Sequence, residues 1–147
     1  MKVYSPTLAS KQQQRLWQFA GLSSGDGLGL LAQIEEGLEG DVAERITRWT
    51  NISKTELRHM TGIPGTTFNR SSKARFTAEQ SERLVRLIRV MDRAVEMFEG
   101  DKGAALKWLN EPVRGLGWEK PADLLSSEAG AFEVLKLINR LEHGVFS

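Results

Sequence analysis

Apolar positions along this chain recur at three- and four-residue intervals, and glycine, proline and small polar residues cut the pattern into short pieces. That period marks helices with one buried face, and no stretch sustains the two-residue alternation of a half-buried strand. The predicted fold class is therefore all-α. A first helix is expected over 7–20, capped by Ser5 or Thr7 and carrying Leu8, Leu16, Trp17 and Phe19. Gly21 and the run Ser23 to Gly27 end it. A second is expected over 28–38, with Leu28, Leu30, Leu31, Ile34 and Leu38 inward and Gly40 closing it. Asp41 is the expected cap of a third, over 42–50, with Val42, Ile46 and Trp49 on one stripe.

The stretch from 52 to 77 is more specific. Ser53 with Glu56 three residues on is a capping box. Leu57 and Met60 are the inward positions of that short helix, Gly62 supplies a tight turn, and Pro64 or Gly65 opens a second short helix. Two short helices joined by a glycine turn read as a helix-turn-helix, or as an ordinary helical hairpin with a polar surface. In the second helix Phe68 is the inward anchor, leaving Thr66, Thr67, Asn69 and Arg70 outward. Asn and Arg make bidentate contacts to base edges, and threonines reach phosphates or a thymine methyl. Lys54, Arg58, Lys73 and Arg75 are the candidate phosphate anchors. Thr77 and Gln80 then form a capping box at the head of a long helix reaching Gly100. Its stripe of Leu84, Leu87, Ile88, Met91, Ala94, Val95 and Phe98 suits a core, a dimer seam, or both, with Arg83, Arg86, Arg89 and Arg93 off it.

The last third is densely punctuated. Asp101 opens a helix with Ala105, Trp108 and Leu109 inward, and Pro112, Gly115 and Gly117 break the chain. Pro121 can open a short helix. Ser126 and Ser127 are the candidate caps of a last helix, whose face is Ala131, Val134, Leu135, Ile138 and Leu141 and whose stop is Gly144. Val145, Phe146 and Ser147 follow. Two apolar residues there either fold back on the core or dock into another protein.

Composition narrows the chemistry. The 147 residues hold no cysteine, so disulfides and thiol chemistry are out, which fits a reducing cytoplasm. His59 and His143 lie far apart with no metal-ligand spacing, and no nucleophile, base and stabiliser fall into one motif. No catalytic residue, metal or cofactor is expected, and the chain is not expected to be an enzyme. The Gly-Asp-Gly-Leu-Gly run at 25–29 lacks the strand and the Gly-Lys-Ser/Thr of a phosphate loop. No signal peptide or membrane-length apolar run is seen. The net charge of +1 conceals a pattern: residues 45–93 sum to +7, and the flanks 1–44 and 94–147 to −3 each. A basic middle is the footprint of a nucleic-acid binder, or simply an arginine-rich solvated face.

From about residue 53 onward the chain resembles the antitoxin Xre/MbcA/ParS family. The resemblance rests on Glu56-Leu57, Gly62-Ile63, Thr67 with Arg70, Phe76-Thr77 and Trp108-Leu109-Asn110 with Pro112. It is strongest at Leu116-Gly117, Pro121-Ala122-Asp123-Leu124-Leu125, Gly130, Val134 and Asn139 through Ser147. Trp118 departs from the pattern, standing where members usually carry a second glycine. A tryptophan takes positive φ only at a cost, so either the turn differs there or the ring fills a pocket of the partner.

The resemblance implies an Xre-like helix-turn-helix domain followed by a small helical toxin-binding domain. The expected divisions are an N-terminal helical segment at 1–50, the helix-turn-helix with its long helix at 51–99, and the toxin-binding domain at 100–147. It also implies a type II toxin–antitoxin pair in the cytoplasm. The partner would be a RES-domain toxin that depletes NAD, and operator DNA would be bound to repress the operon. A homodimer within a larger hetero-oligomer is expected, with no membrane association. The implied toxin contacts are Trp118, Arg140, His143, Gly144, Val145, Phe146 and Ser147, with the C-terminus at the mouth of the toxin's active site. The alternative is a stand-alone regulator whose C-terminal module only dimerises.

Overall fold

The computed structural model describes residues 14–144. Within them lie eight α-helices: α1 (Leu16–Phe19), α2 (Gly27–Glu36), α3 (Val42–Thr50), α4 (Lys54–Thr61), α5 (Gly65–Ser72), α6 (Ala78–Met97), α7 (Lys102–Leu109) and α8 (Glu128–Glu142). Two 3₁₀ turns, Arg114–Leu116 and Pro121–Leu124, join α7 to α8. The described residues contain no strand, only the isolated bridges Glu39–Arg75 and Val113–Glu119. The chain is all-α, as its periodicity predicts. The proposed caps Ser5 and Thr7, and Leu8, lie outside the described residues; the helix expected to run through 7–20 is not continuous, because Arg15 is extended and α1 starts only at Leu16.

Everything is built around α6. Thr77 accepts from the Gln80 amide at 3.1 Å, and the Gln80 side chain accepts from the Thr77 amide at 2.9 Å, so the expected capping box is formed. Besides the predicted stripe, Val85 and Val90 are buried, which extends the apolar arc past half the helix circumference. α1, α2, α4, α7 and α8 all pack on that arc. The stripe is thus used up as core within one chain. The remaining arc carries Arg86, Arg89 and Arg93.

The polar groups facing α6 are satisfied. Asp92, only 6% exposed, accepts the Leu16 and Trp17 amides at 2.6 and 3.1 Å and so caps α1 from 76 residues away. Burial raises the Asp92 pKa, against the opposing pull of those two amides and of Arg15. Ser81 accepts the Leu38 amide at 2.8 Å, fixing the loop after α2. Arg86 donates to the carbonyls of Leu125 and Ser126 at 3.2 and 3.0 Å and pairs with Glu128, which clamps the head of α8 to α6. Arg93 bridges Glu96 and Glu142 at 2.8 and 2.7 Å and ties the tail of α8 to the same helix.

Three local expectations are corrected. α2 ends at Gly37, whose φ is +95°, and not at Gly40; this turns Leu38 inward but leaves Leu28 and Leu31 on the exposed side. Asp41 does not cap α3: its own backbone is helical, which swings the carboxylate away from the first amides to pair with Arg45 at 3.3 Å. On α8 the buried face is Ala131, Val134, Leu137 and Ile138, the expected Leu135 is partly buried against the core, and the expected Leu141 is 41% exposed.

Gly62 lies at the junction of α4, α6 and the head of α8. Its φ is +74°, and a β-carbon there would lie 2.9 Å from both Arg83 Nη1 and Ser126 Cβ. The left-handed conformation and the close approach both demand glycine. Gly62→Ala is expected to destabilise the fold by about 1–3 kcal/mol, measured by urea unfolding monitored by circular dichroism.

Candidate nucleic-acid and partner interfaces

The short helices α4 and α5 are fixed by their ends. Ser53 and Glu56 form the expected capping box, at 3.0 and 2.8 Å. Gly62 closes α4 in the left-handed conformation, and α5 starts at Gly65 after Pro64. Phe68 is fully buried and meets Phe76 edge-on at 5.7 Å. That single anchor sets the rotation of α5. With Phe68 inward, Thr66, Asn69 and Arg70 are exposed and Lys73 extends the same row one turn on, an i, i+3, i+4, i+7 face. Thr67 is half-buried at its edge.

The other candidate cations differ in their freedom. Lys54 is exposed at the first position of α4. Arg58 is half-buried, its guanidinium 3.4 Å from the Thr55 hydroxyl and its Nε beside Gly65, so it braces the turn between α4 and α5. Arg75 is committed inside the chain: Nη1 donates to the Gly37 carbonyl at 2.6 Å and Nη2 lies 3.9 Å from Glu39. Around it the Gly40 amide donates to Ala74 and the Phe76 amide to Leu38, at 2.9 and 2.8 Å. The result is a clasp between the loop before α3 and the loop after α5. Charge pattern alone gave no sign that this arginine is held.

In the C-terminal part, Pro121 opens its 3₁₀ turn and Ser127 caps α8 through the Gly130 amide at 2.9 Å. The carbonyl of Ser126, the other candidate cap, is taken by Arg86. Arg140 is exposed and has no ion-pair partner among the described residues. His143 contacts the Asn139 carbonyl through Nδ1 at 2.9 Å, and Gly144 follows with φ +67°. Val145, Phe146 and Ser147 lie outside the described residues.

Gly117 and Trp118 both lie in the left-handed region, with φ of +66° and +67° in succession. The loop is closed by Val113 N–H to the Glu119 carbonyl at 3.1 Å and Trp118 N–H to the Val113 carbonyl at 2.9 Å. Holding a side chain in the left-handed region costs about 1–2 kcal/mol. Trp118 as a residue is 65% exposed.

Two groups were not singled out from the sequence. His59 Nε2 lies 2.8 Å from Asp123, a surface link between α4 and the second 3₁₀ turn that no local spacing could reveal. Phe132 is exposed with the Lys136 ammonium 5.1 Å from its ring centre. Its position off the α8 stripe was the available signal.

Against known proteins, residues 29–89 match the antitoxin Xre-like helix-turn-helix domain, and residues 93–144 match the antitoxin Xre/MbcA/ParS C-terminal toxin-binding domain. Over the whole length of both chains the sequence is 47% identical to a protein of Yersinia enterocolitica and 39% identical to one of Photorhabdus laumondii, each named antitoxin Xre. The chain belongs to the Xre antitoxin family. α4 and α5 fall inside the helix-turn-helix match, and α7, α8 and the Trp118 loop inside the toxin-binding match. No described helix is long and apolar enough to cross a membrane.

Arg70 and Arg75 should separate in stability. Arg75→Ala removes the clasp and is expected to lower Tm by about 2–4 °C, roughly 1 kcal/mol for a half-exposed charged hydrogen bond. Arg70→Ala, on an exposed face, is expected to leave thermal unfolding within error of the parent.

Proposed function

We propose that this chain is the antitoxin of a type II toxin–antitoxin system in the cytoplasm. It neutralises a RES-domain, NAD-depleting toxin through its C-terminal domain and represses its own operon by binding operator DNA. The observation that carries the reading is a pairing. A helix-turn-helix whose exposed row is Thr66, Asn69, Arg70 and Lys73 is docked, through α6, to a domain that matches toxin-binding domains. Family membership supports the toxin partner; the RES class of that toxin and autorepression follow from the resemblance of the motifs.

In this reading α5 enters the major groove. Asn69 and Arg70 read base edges, and Thr66 and Thr67 contact phosphate or a thymine methyl. Lys54, Arg58 and Lys73 neutralise phosphates. Arg75 acts at one remove, by holding the loops that flank α5. A homodimer would present two such helices to a two-fold operator. At the other end Arg140, His143 and Gly144, with Val145, Phe146 and Ser147, form the segment that occludes the toxin. Trp118 lies on the same domain.

Co-expression with the product of the adjacent gene is the primary test. A stoichiometric complex is expected, whose partner arrests growth and depletes NAD once this chain is withdrawn; a harmless neighbour that does not co-purify would overturn the reading. Deletion of residues 144–147 is expected to abolish protection and leave helicity intact. On operator DNA, Arg70→Ala is expected to weaken specific binding by about 1–3 kcal/mol. Lys73→Ala is expected to weaken all DNA alike and to reduce the salt slope by about one. Gel-shift titrations over a range of salt concentrations read both.

A further inference from the structure

We infer that Trp118 determines which toxin this antitoxin accepts, by placing its indole in an apolar socket on that partner. The inference rests on the antitoxin reading above and deepens it. Three of the four tryptophans serve the fold. Trp49 is buried, donates to the Gln14 carbonyl at 3.0 Å and carries the Lys102 ammonium 4.0 Å above its ring. Trp108 packs against Phe98 at 6.4 Å, and Trp17 packs against the core. Trp118 does neither: its ring has no aromatic or cationic partner among the described residues, and the residue is 65% exposed.

The backbone makes the same point. At φ +67° the position favours glycine, and the loop hydrogen bonds that hold it there use main-chain atoms only. A glycine would satisfy all of them without strain. The fold therefore draws no hydrogen bond or aromatic contact from the indole and is strained by its β-carbon. Strain retained at an exposed aromatic is the mark of a side chain held ready for a partner.

The partner is the toxin because of where the loop sits. It lies inside the segment that matches toxin-binding domains. Its tip is seated on α8, with Gly115 against the Leu137 side chain. Leu141, the exposed apolar residue, follows Leu137 by one helical turn, next to Arg140. The loop that carries Trp118 and the exposed Leu141 are thus both placed by α8, within the toxin-binding match. A large, rigid aromatic in such a place is the usual anchor of a protein interface, and truncating one typically lowers affinity by an order of magnitude or more. A toxin without such a socket would meet the indole as a clash, so the residue separates toxins that have the socket from those that lack it.

The test compares the full chain with Trp118→Gly and Trp118→Phe for binding to the co-expressed toxin, for self-association and for thermal unfolding. Trp118→Gly is expected to raise Tm by about 2–4 °C and to weaken toxin binding by at least about tenfold. Trp118→Phe is expected to keep most of the affinity. Equal affinity of the glycine variant, a lowered Tm, or an effect confined to self-association would each overturn the inference. If the parent chain itself fails to bind the toxin, the antitoxin reading fails and the inference with it. If the parent binds and the glycine variant binds as well, only the inference fails.

Discussion

The structure depends on the near-complete burial of one helix. α6 offers apolar side chains over more than half of its surface, so no single neighbour can cover it, and five helices gather around it. Each buried Leu, Ile or Val contributes about 1.5–3 kcal/mol, which makes this helix the main source of cohesion in a small chain. Its other side is equally used. Arg86 and Arg93 reach across to the two ends of α8, and Arg83 donates to the Thr61 carbonyl at the end of α4. The helix that fixes the α4–α5 pair is therefore the helix that fixes the C-terminal domain. Arginine suits this task because its planar fork can donate to several carbonyls at once while its stem lies along apolar surface.

That sharing gives the two ends of the molecule a common frame. The α4–α5 turn at Gly62 lies against both Arg83 of α6 and Ser126 at the head of α8. His59 and Asp123 join the same two regions at the surface. A pair of short helices of eight residues each would not hold its angle alone. Here the angle is set by Phe68 on one side and by this junction on the other. The exposed row on α5 is orderly because its opposite face is fully occupied.

Trp118 and Arg75 show, in opposite directions, how far residue type stands from availability. Arg75 has the charge of a phosphate anchor but is occupied by the Gly37 carbonyl and Glu39. Trp118 has the composition of a core residue but projects into solvent from a strained turn. In both cases side-chain chemistry was visible and availability was not. Availability depends on what the chain brings alongside.

Local chemistry was legible in the sequence by itself. The helical period, the capping boxes Ser53–Glu56 and Thr77–Gln80, the turn at Gly62, the stop at Gly144 and the inward Phe68 all act within four residues or along one face. A short-range pattern therefore specifies them, and the order of the family's motifs added the family itself. Tertiary structure alone decided which face was used up and by what. Asp92 capping a helix 76 residues before it, Arg86 closing on the carbonyls of Leu125 and Ser126, the clasp around Arg75 and the exposure of Leu28 and Leu141 have no local signature. They are long-range satisfactions of buried polar groups and apolar area. Such groups find their partners only when the chain has folded back on itself.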